Sequence, residues 1–251
     1  MLFPVGDDNN DRHLTPIVNY VLIAINILVF IFLQDMGRNL GFTFSYSTVP
    51  AEILSGEDII TPSQSYQNPY TGEIEQHPGL GITNLPVYLT LITSMFMHGG
   101  IAHLAGNMLY LWIFGDNLEN VMGHKRFLLF YLLCGVLASL AHVFSTLYFN
   151  QAMDIPSLGA SGAISGALGG YMLLFPSRKV HVWFLWGIMS VPAFIVVGLW
   201  FLFQIVNGMG ALGGEEAGGV AYAAHIGGFI AGLVLVKFFA KPVIKQKTET
   251  F

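Results

Sequence analysis

Apolar runs of near membrane-crossing length recur six times in this 251-residue chain, near 14–34, 101–119, 126–149, 157–175, 190–207 and 220–239. The ~30 Å hydrocarbon core of a bilayer takes roughly 20 apolar residues to cross as a helix. Backbone polar groups find no water there, so only helices and closed barrels can span it. The pattern predicts an all-α membrane protein crossing the bilayer six times. Composition agrees, with 54% hydrophobic and 10% charged residues and a mean hydropathy of +0.62, more apolar than a soluble domain of this size.

Positive residues beside membrane helices stay on the cytoplasmic side. Arg12 precedes the first run, Lys125 and Arg126 join the second to the third, Arg178 and Lys179 join the fourth to the fifth, and Lys237, Lys241, Lys245 and Lys247 end the chain. With six crossings, all of these fall on one side. The alternate loops, 35–100, 150–157 and 208–219, hold Arg38 against Asp35, Glu52, Glu57, Asp58, Glu73, Glu75, Asp154, Glu215 and Glu216. Both termini are therefore expected in the cytoplasm. The chain divides into a short cytoplasmic tail at 1–13, a membrane domain at 14–240 with a long external loop at 35–100, and a basic tail at 241–251. The first run follows Asp7, Asp8 and Asp11 and has no small-residue cleavage site, so it reads as a retained helix. Cys134 stands alone, which excludes an internal disulfide. A net charge of −5 with no basic cluster before the tail excludes nucleic acid as a partner and leaves membrane lipid as the surrounding phase.

Orientation places the chemistry. The second, fourth and sixth runs all descend from the outer face. Ser161 lies early in the fourth and His225 early in the sixth, each roughly 6 to 8 Å below that face. His103 and Asn107 open the second run one helical turn apart, on a shared face. Three parallel helices thus present polar groups at one level. Gly159, Gly162, Gly166, Gly169 and Gly170, with Gly228 and Gly232 after His225, have the small-residue spacing of close helix contact. Taken singly, these glycines read as packing; taken together, they would bring Ser161 to His225.

A neutral histidine within hydrogen-bond distance of a serine makes its hydroxyl a nucleophile. The backbone N–H of Ser161 sits in the first turn of a helix, where it lacks an intrahelical partner and the dipole is positive. His103 and Asn107 would add donors for an oxyanion. Rival readings exist. His98, His103, His142 and His225 also suggest a metal or haem site, though His142 lies late in the third run, expected near the outer end, and no Cys or carboxylate lies within the helices beside the other three. Asn107 would equally serve as an interhelical hydrogen-bonding group. Asp116 and Glu119 fall at the cytoplasmic end of the second run and read as solvated. The run 86–97 is too short to span and is expected at the outer interface or dipping partway in, while 180–188 has the aromatic signature of an interface. Pro192 kinks or starts the fifth run.

These residues resemble a known family, the rhomboid intramembrane serine proteases. GASG at 159–162 is similar to its nucleophile motif, AHIGG at 224–228 to its histidine motif and HLAGN at 103–107 to its HxxxN element. WIFGDNLE at 112–119 and the apolar stretch before His98 also look like the family's second helix and first external loop, and the order of elements agrees over about 83–240. The resemblance implies a six-helix rhomboid-like bundle with Ser161 as nucleophile, His225 as general base, and His103, Asn107 and the Ser161 N–H as the oxyanion hole. It implies no metal or other cofactor, and as substrates single-span membrane proteins cut near the outer end of a helix, admitted past the fifth helix and first loop. Some members carry an aromatic residue one turn after the nucleophile, against the histidine; Ser165 stands there instead. The competing functions are a non-catalytic rhomboid-like membrane-protein binder or chaperone and a small transporter. Short tails without an organelle presequence suggest a prokaryotic cytoplasmic (inner) membrane, with the site opening outward. Residues 35–84 carry no legible role.

Overall fold

The computed structural model describes residues 3–67, 74–212 and 220–240. The tail at 241–251 lies outside them, as do Glu215 and Glu216. Strand β1 (Phe3–Asp7) leads to helix α1 (Ile17–Leu28), which runs on as a wider π turn, Val29–Leu33. The long connection that follows contains α2 (Leu40–Ser45), α3 (Pro50–Ser55) and a hairpin of β2 (Gln64–Gln67) with β3 (Ile74–His77). A bent helical piece, Val87–Phe96 with α4 (Thr90–Thr93) inside it, meets α5 (Ile101–Met122) at 83°. Then come α6 (His124–Tyr148), α7 (Ser161–Leu174), the strands β4 (Lys179–Phe184) and β5 (Gly187–Pro192), α8 (Ala193–Leu212) and α9 (Tyr222–Phe239).

Among the described residues, α6, α8 and α9 are long and apolar enough to cross a membrane, and Val87–Phe96 with α5 qualifies if the bent pair is one span. α1 with its π turn and α7 are apolar but shorter. Pro192 closes β5 and α8 begins at the next residue, so the proline starts this helix and does not kink it.

α7 is the axis of the bundle, touching α5, α6, α8 and α9. Eight of its first ten residues are glycine, alanine or serine, and Gly162 through Tyr171 are all buried. Small residues let backbones approach where lipid provides no hydrophobic drive between helices. A methyl group added at Gly228 of α9 would lie 2.2 Å from the carbonyl oxygen of Gly162, and one at Gly232 would lie 1.9 Å from that of Gly166. No side chain fits at either contact, so the two helices lie backbone against backbone.

The all-α expectation needs correction. β1 pairs antiparallel with β4, and β4 with β5, in a three-stranded sheet. The segment expected to be a tail therefore begins with an ordered strand, and the aromatic stretch 180–188 forms a hairpin arm and its turn. Val180 and Val182 point into the core, while Trp183, Phe184 and Trp186 are exposed. This alternation is the period of two of a half-buried strand, hidden in sequence by the exposed aromatics. The long connection between α1 and α5 is likewise structured, as its helices and hairpin show.

Asp116 and Glu119 are also not solvated; both are buried. Glu119 accepts from the N–H groups of Val18 (2.9 Å) and Asn19 (2.7 Å), satisfying donors in the first turn of α1 with negative charge at its positive end. Asp116 pairs with Arg12, and Asn120 accepts from the N–H groups of His13 (3.1 Å) and Leu14 (3.0 Å). Arg178 reaches Asp11 (2.6 Å), the carbonyl of Asp8 (3.0 Å) and Asn117, and Tyr171 donates to Asp7. Arg12, Arg178, the α5–α6 turn and the sheet are thus gathered at one end of the bundle.

Candidate active site

The opposite end holds the polar residues singled out in the sequence. Ser161 is the first residue of α7 and His225 the fourth of α9. The backbone contacts between these helices bring Ser161 Oγ to 2.8 Å from His225 Nε2. Ser161 has no intrahelical acceptor for its N–H at that position.

The turn into α7 is built by glycine and by distant segments. Gly159 has φ +125°, where L side chains are strained, and a methyl there would lie 2.9 Å from both Cε1 and Nε2 of His103. Its N–H donates to the carbonyl of Ser94 at 2.9 Å. Two residues earlier, Ser157 exchanges backbone hydrogen bonds of 2.8 and 2.9 Å with Thr48, whose hydroxyl donates to Ser94 Oγ at 2.9 Å. The connection between α1 and α5 therefore holds the stretch that delivers Ser161.

His103 reaches the same place from α5, its ring beside Gly159. Its Nδ1 accepts from the Gly99 N–H at 3.4 Å, which leaves the proton of a neutral ring on Nε2, the nitrogen beside Gly159. Asn107, one turn on, is buried, and its Nδ2 has no hydrogen-bond partner. A buried donor left open costs stability unless something accepts from it. His98 packs edge-on against His103 with centroids 5.1 Å apart, and its backbone is gripped by Gln34, which donates to the His98 carbonyl and accepts from its N–H, both at 2.9 Å. Among the described residues, no group of three or more His, Cys, Asp or Glu is placed to share a metal ion.

Ser165 makes no side-chain hydrogen bond to His225; its hydroxyl donates to the carbonyl of Ser161 at 2.6 Å. The histidine is instead flanked by α8, with Gln204 Oε1 2.7 Å from Nδ1 and the Trp200 ring 6.1 Å away between centroids. Sequence reading missed Gln204. Its signal was present: with Asn207 it is one of two amides in the apolar run 190–207, and a polar group at that depth is expensive without a partner. Thr48 and Ser94 gave no comparable sign.

A cavity of about 20 Å³ adjoins Ser161, lined in part by Ser94, Ser139 and Ser157. It is polar and large enough for roughly one water molecule. The site thus combines a paired serine and histidine, donors without acceptors, a charge-free lining and room for water, a set suited to acyl transfer.

The chain matches the Rhomboid domain over residues 86–242, more than half its length. It is 34% identical over 160 residues to Rhomboid protein 1, mitochondrial, of Saccharomyces cerevisiae, covering 63% of this chain and 44% of the yeast protein. It is 37% identical over 143 residues to Rhomboid protease GluP of Bacillus subtilis, covering 57% of this chain and 24% of that one. RHOMBOID-like protein 4 of Arabidopsis thaliana is 34% identical over 145 residues, 58% of this chain and 32% of the plant protein. The chain thus spans less than half the length of these relatives, and the region matching the family includes the bent piece, all three motif-bearing helices and the α7–α9 contact. With its mostly helical architecture and apolar spans, the chain belongs to the rhomboid family of integral membrane proteins.

Proposed function

We propose that this protein is an intramembrane serine endopeptidase that cleaves single-span membrane proteins near the outer face of the bilayer. The 2.8 Å approach of Ser161 Oγ to His225 Nε2, between helices whose glycines allow backbone-to-backbone contact, carries this reading. Ser161 Oγ attacks the scissile carbonyl carbon as His225 Nε2 takes its proton. The C–N bond then breaks, and the same nitrogen gives that proton to the leaving amine. Water attacks the acyl-enzyme, losing a proton to His225, and the restored Ser161 hydroxyl departs from the new carboxyl group. The oxyanion of each tetrahedral intermediate is met by the Ser161 N–H, the Nε2–H of His103 and the Nδ2–H of Asn107.

Membrane geometry supports the same reading. The fourteen residues of α7 rise about 21 Å, short of the ~30 Å core, so a helix reaching the inner face starts below the outer one. In this reading α1, Val87–Phe96 with α5, α6, α7, α8 and α9 make six crossings. The end carrying Arg12, Lys125, Arg126, Arg178 and Lys179 faces the cytoplasm, and the site opens to the opposite side. In a prokaryotic cytoplasmic membrane that side is the outside. No cofactor enters the mechanism.

The deciding experiment is labelling of the purified protein by a fluorophosphonate, comparing wild type with Ser161→Ala and His225→Ala. Labelling of the wild type alone supports the dyad. A folded wild type that no probe size labels overturns it in favour of a rhomboid-like binding protein.

A further inference from the structure

His225 can act as a base toward Ser161 only if the lone pair lies on Nε2, which puts the ring proton on Nδ1. That proton needs an acceptor. The acceptor present is Oε1 of Gln204, at 2.7 Å, on a helix that carries neither of the reacting groups. Gln204 is buried, so water does not compete for the position. One turn earlier on the same helix face, Trp200 lies at 36° to the imidazole plane. α8 thus supplies two side chains to His225, a hydrogen-bond acceptor and an aromatic wall.

We propose that Gln204 is the positioning residue of this site, completing a Ser161–His225–Gln204 relay and doing from α8 what Ser165 does not do from α7. This rests on the protease reading above. An amide suits the task. A carboxylate acceptor would hold the proton more strongly but would place a full charge inside an apolar helix, whereas the amide oxygen brings no charge.

The neighbouring contacts fix where Gln204 stands. On one side of it Phe201 stacks on Phe229 of α9 with centroids 4.0 Å apart and rings within 15°. On the other side Gly208 passes close to Tyr222, where an added methyl would lie 3.1 Å from Tyr222 Cβ. Gln204 sits between these two contacts, so its oxygen is in place only while α8 lies on α9. The outer side of α8, including Phe194, Leu199, Leu202 and Val206, is exposed and apolar. A displacement of α8 by a docking transmembrane segment would therefore withdraw the Nδ1 acceptor, so that full base strength returns only as α8 reseats.

The test compares Gln204→Met, which keeps the length but loses the oxygen, with Gln204→Glu, which keeps an acceptor in either protonation state. The readouts are the rate of Ser161 labelling by a fluorophosphonate and the separate kcat and KM for a single-span substrate, with thermal melts of each variant. Partners that orient metal-ligating histidines are typically worth about 10- to 100-fold, and the same scale is expected for His225. Gln204→Met should lower the labelling rate and kcat by that factor with KM unchanged, and Gln204→Glu should recover most of the loss. Wild-type labelling and kcat in Gln204→Met would overturn the proposal while leaving the dyad intact. So would equal losses in both variants, with matching falls in Tm, since packing alone would then explain them. A wild type that neither labels nor cleaves would overturn the protease reading and this proposal together.

Discussion

The two ends of the bundle solve opposite problems with polar groups. At the end bearing Arg12 and Arg178, charges are matched: Asp116 to Arg12, Asp11 to Arg178, and Glu119 to the first turn of α1. At the other end Ser161, His103, Asn107, His225 and Gln204 contribute no carboxylate or permanent cation, and the Asn107 amide and the ring nitrogens of neighbouring His98 are left without partners. Saturated networks rigidify, and unsaturated donors stay available for charge that develops during a reaction. The comparison teaches that one fold gathers its charged pairs where distant segments are tied together and builds the end carrying Ser161 from uncharged polar groups.

The comparison breaks most sharply at the dyad. Ser161→Ala or His225→Ala should reduce cleavage by about 10,000-fold or more while the melting temperature stays near that of wild type, because neither group is part of the charged network. Full activity in either variant, measured on a single-span substrate, would sink the catalytic assignment. Asn107→Ala should come next, costing about 3 kcal/mol of transition-state stabilisation, roughly a 100-fold drop in kcat, with little change in stability since Nδ2 has no partner to lose. An unchanged kcat would return Asn107 to an interhelical role.

Mutating the opposite end should show the reverse pattern. Glu119→Ala strands two N–H groups of α1, a cost of about 2 to 4 kcal/mol seen as a lower melting temperature, while kcat per folded molecule stays within a few-fold of wild type. Loss of catalysis without loss of stability would mean the two ends are coupled. The smallest effect concerns Asp7, on the strand outside the membrane. Burial, opposed by the Tyr171 hydroxyl and reinforced by nearby Asp116, pushes its carboxyl up to about 7. Folding therefore raises its proton affinity, and the stability it contributes is complete below the ordinary carboxylate range and lost as pH rises through about 7. The melting temperature of wild type relative to Asp7→Asn should fall between pH 5 and pH 8. A flat difference would show that Asp7 titrates normally.

Much of this was legible because membrane helices advertise themselves. The apolar runs located α1, α5, α6, α7, α8 and α9 within a few residues, and the glycine spacing anticipated the α7–α9 contact. Ser161, His225, His103 and Asn107 were readable because a polar group in an apolar run stands out. What escaped was what depends on pairing between distant segments. β1 is too short and too polar at its end to declare itself without β4 beside it. Thr48 and Ser94 are ordinary residues that matter only through where the loop at Ser157–Gly159 comes to lie. Asp116 and Glu119 were misjudged because their partners, Arg12 and the start of α1, lie about a hundred residues away. Ser165 pointed to a missing support for His225, and the replacement lay on another helix.

The pairing of β1 with β4 also sets a timetable. Phe3 faces Trp183 across the sheet, so β1 has no partner until the chain is synthesised past the end of α7. At 5 to 20 residues per second, that interval is roughly 10 to 35 s. Through it, α1 can already be in the membrane and, once α5 has followed, bound by Glu119, while β1 waits with its backbone unpaired. That closure therefore joins β1 to a strand made about 175 residues later, and β5 leads from it directly into α8.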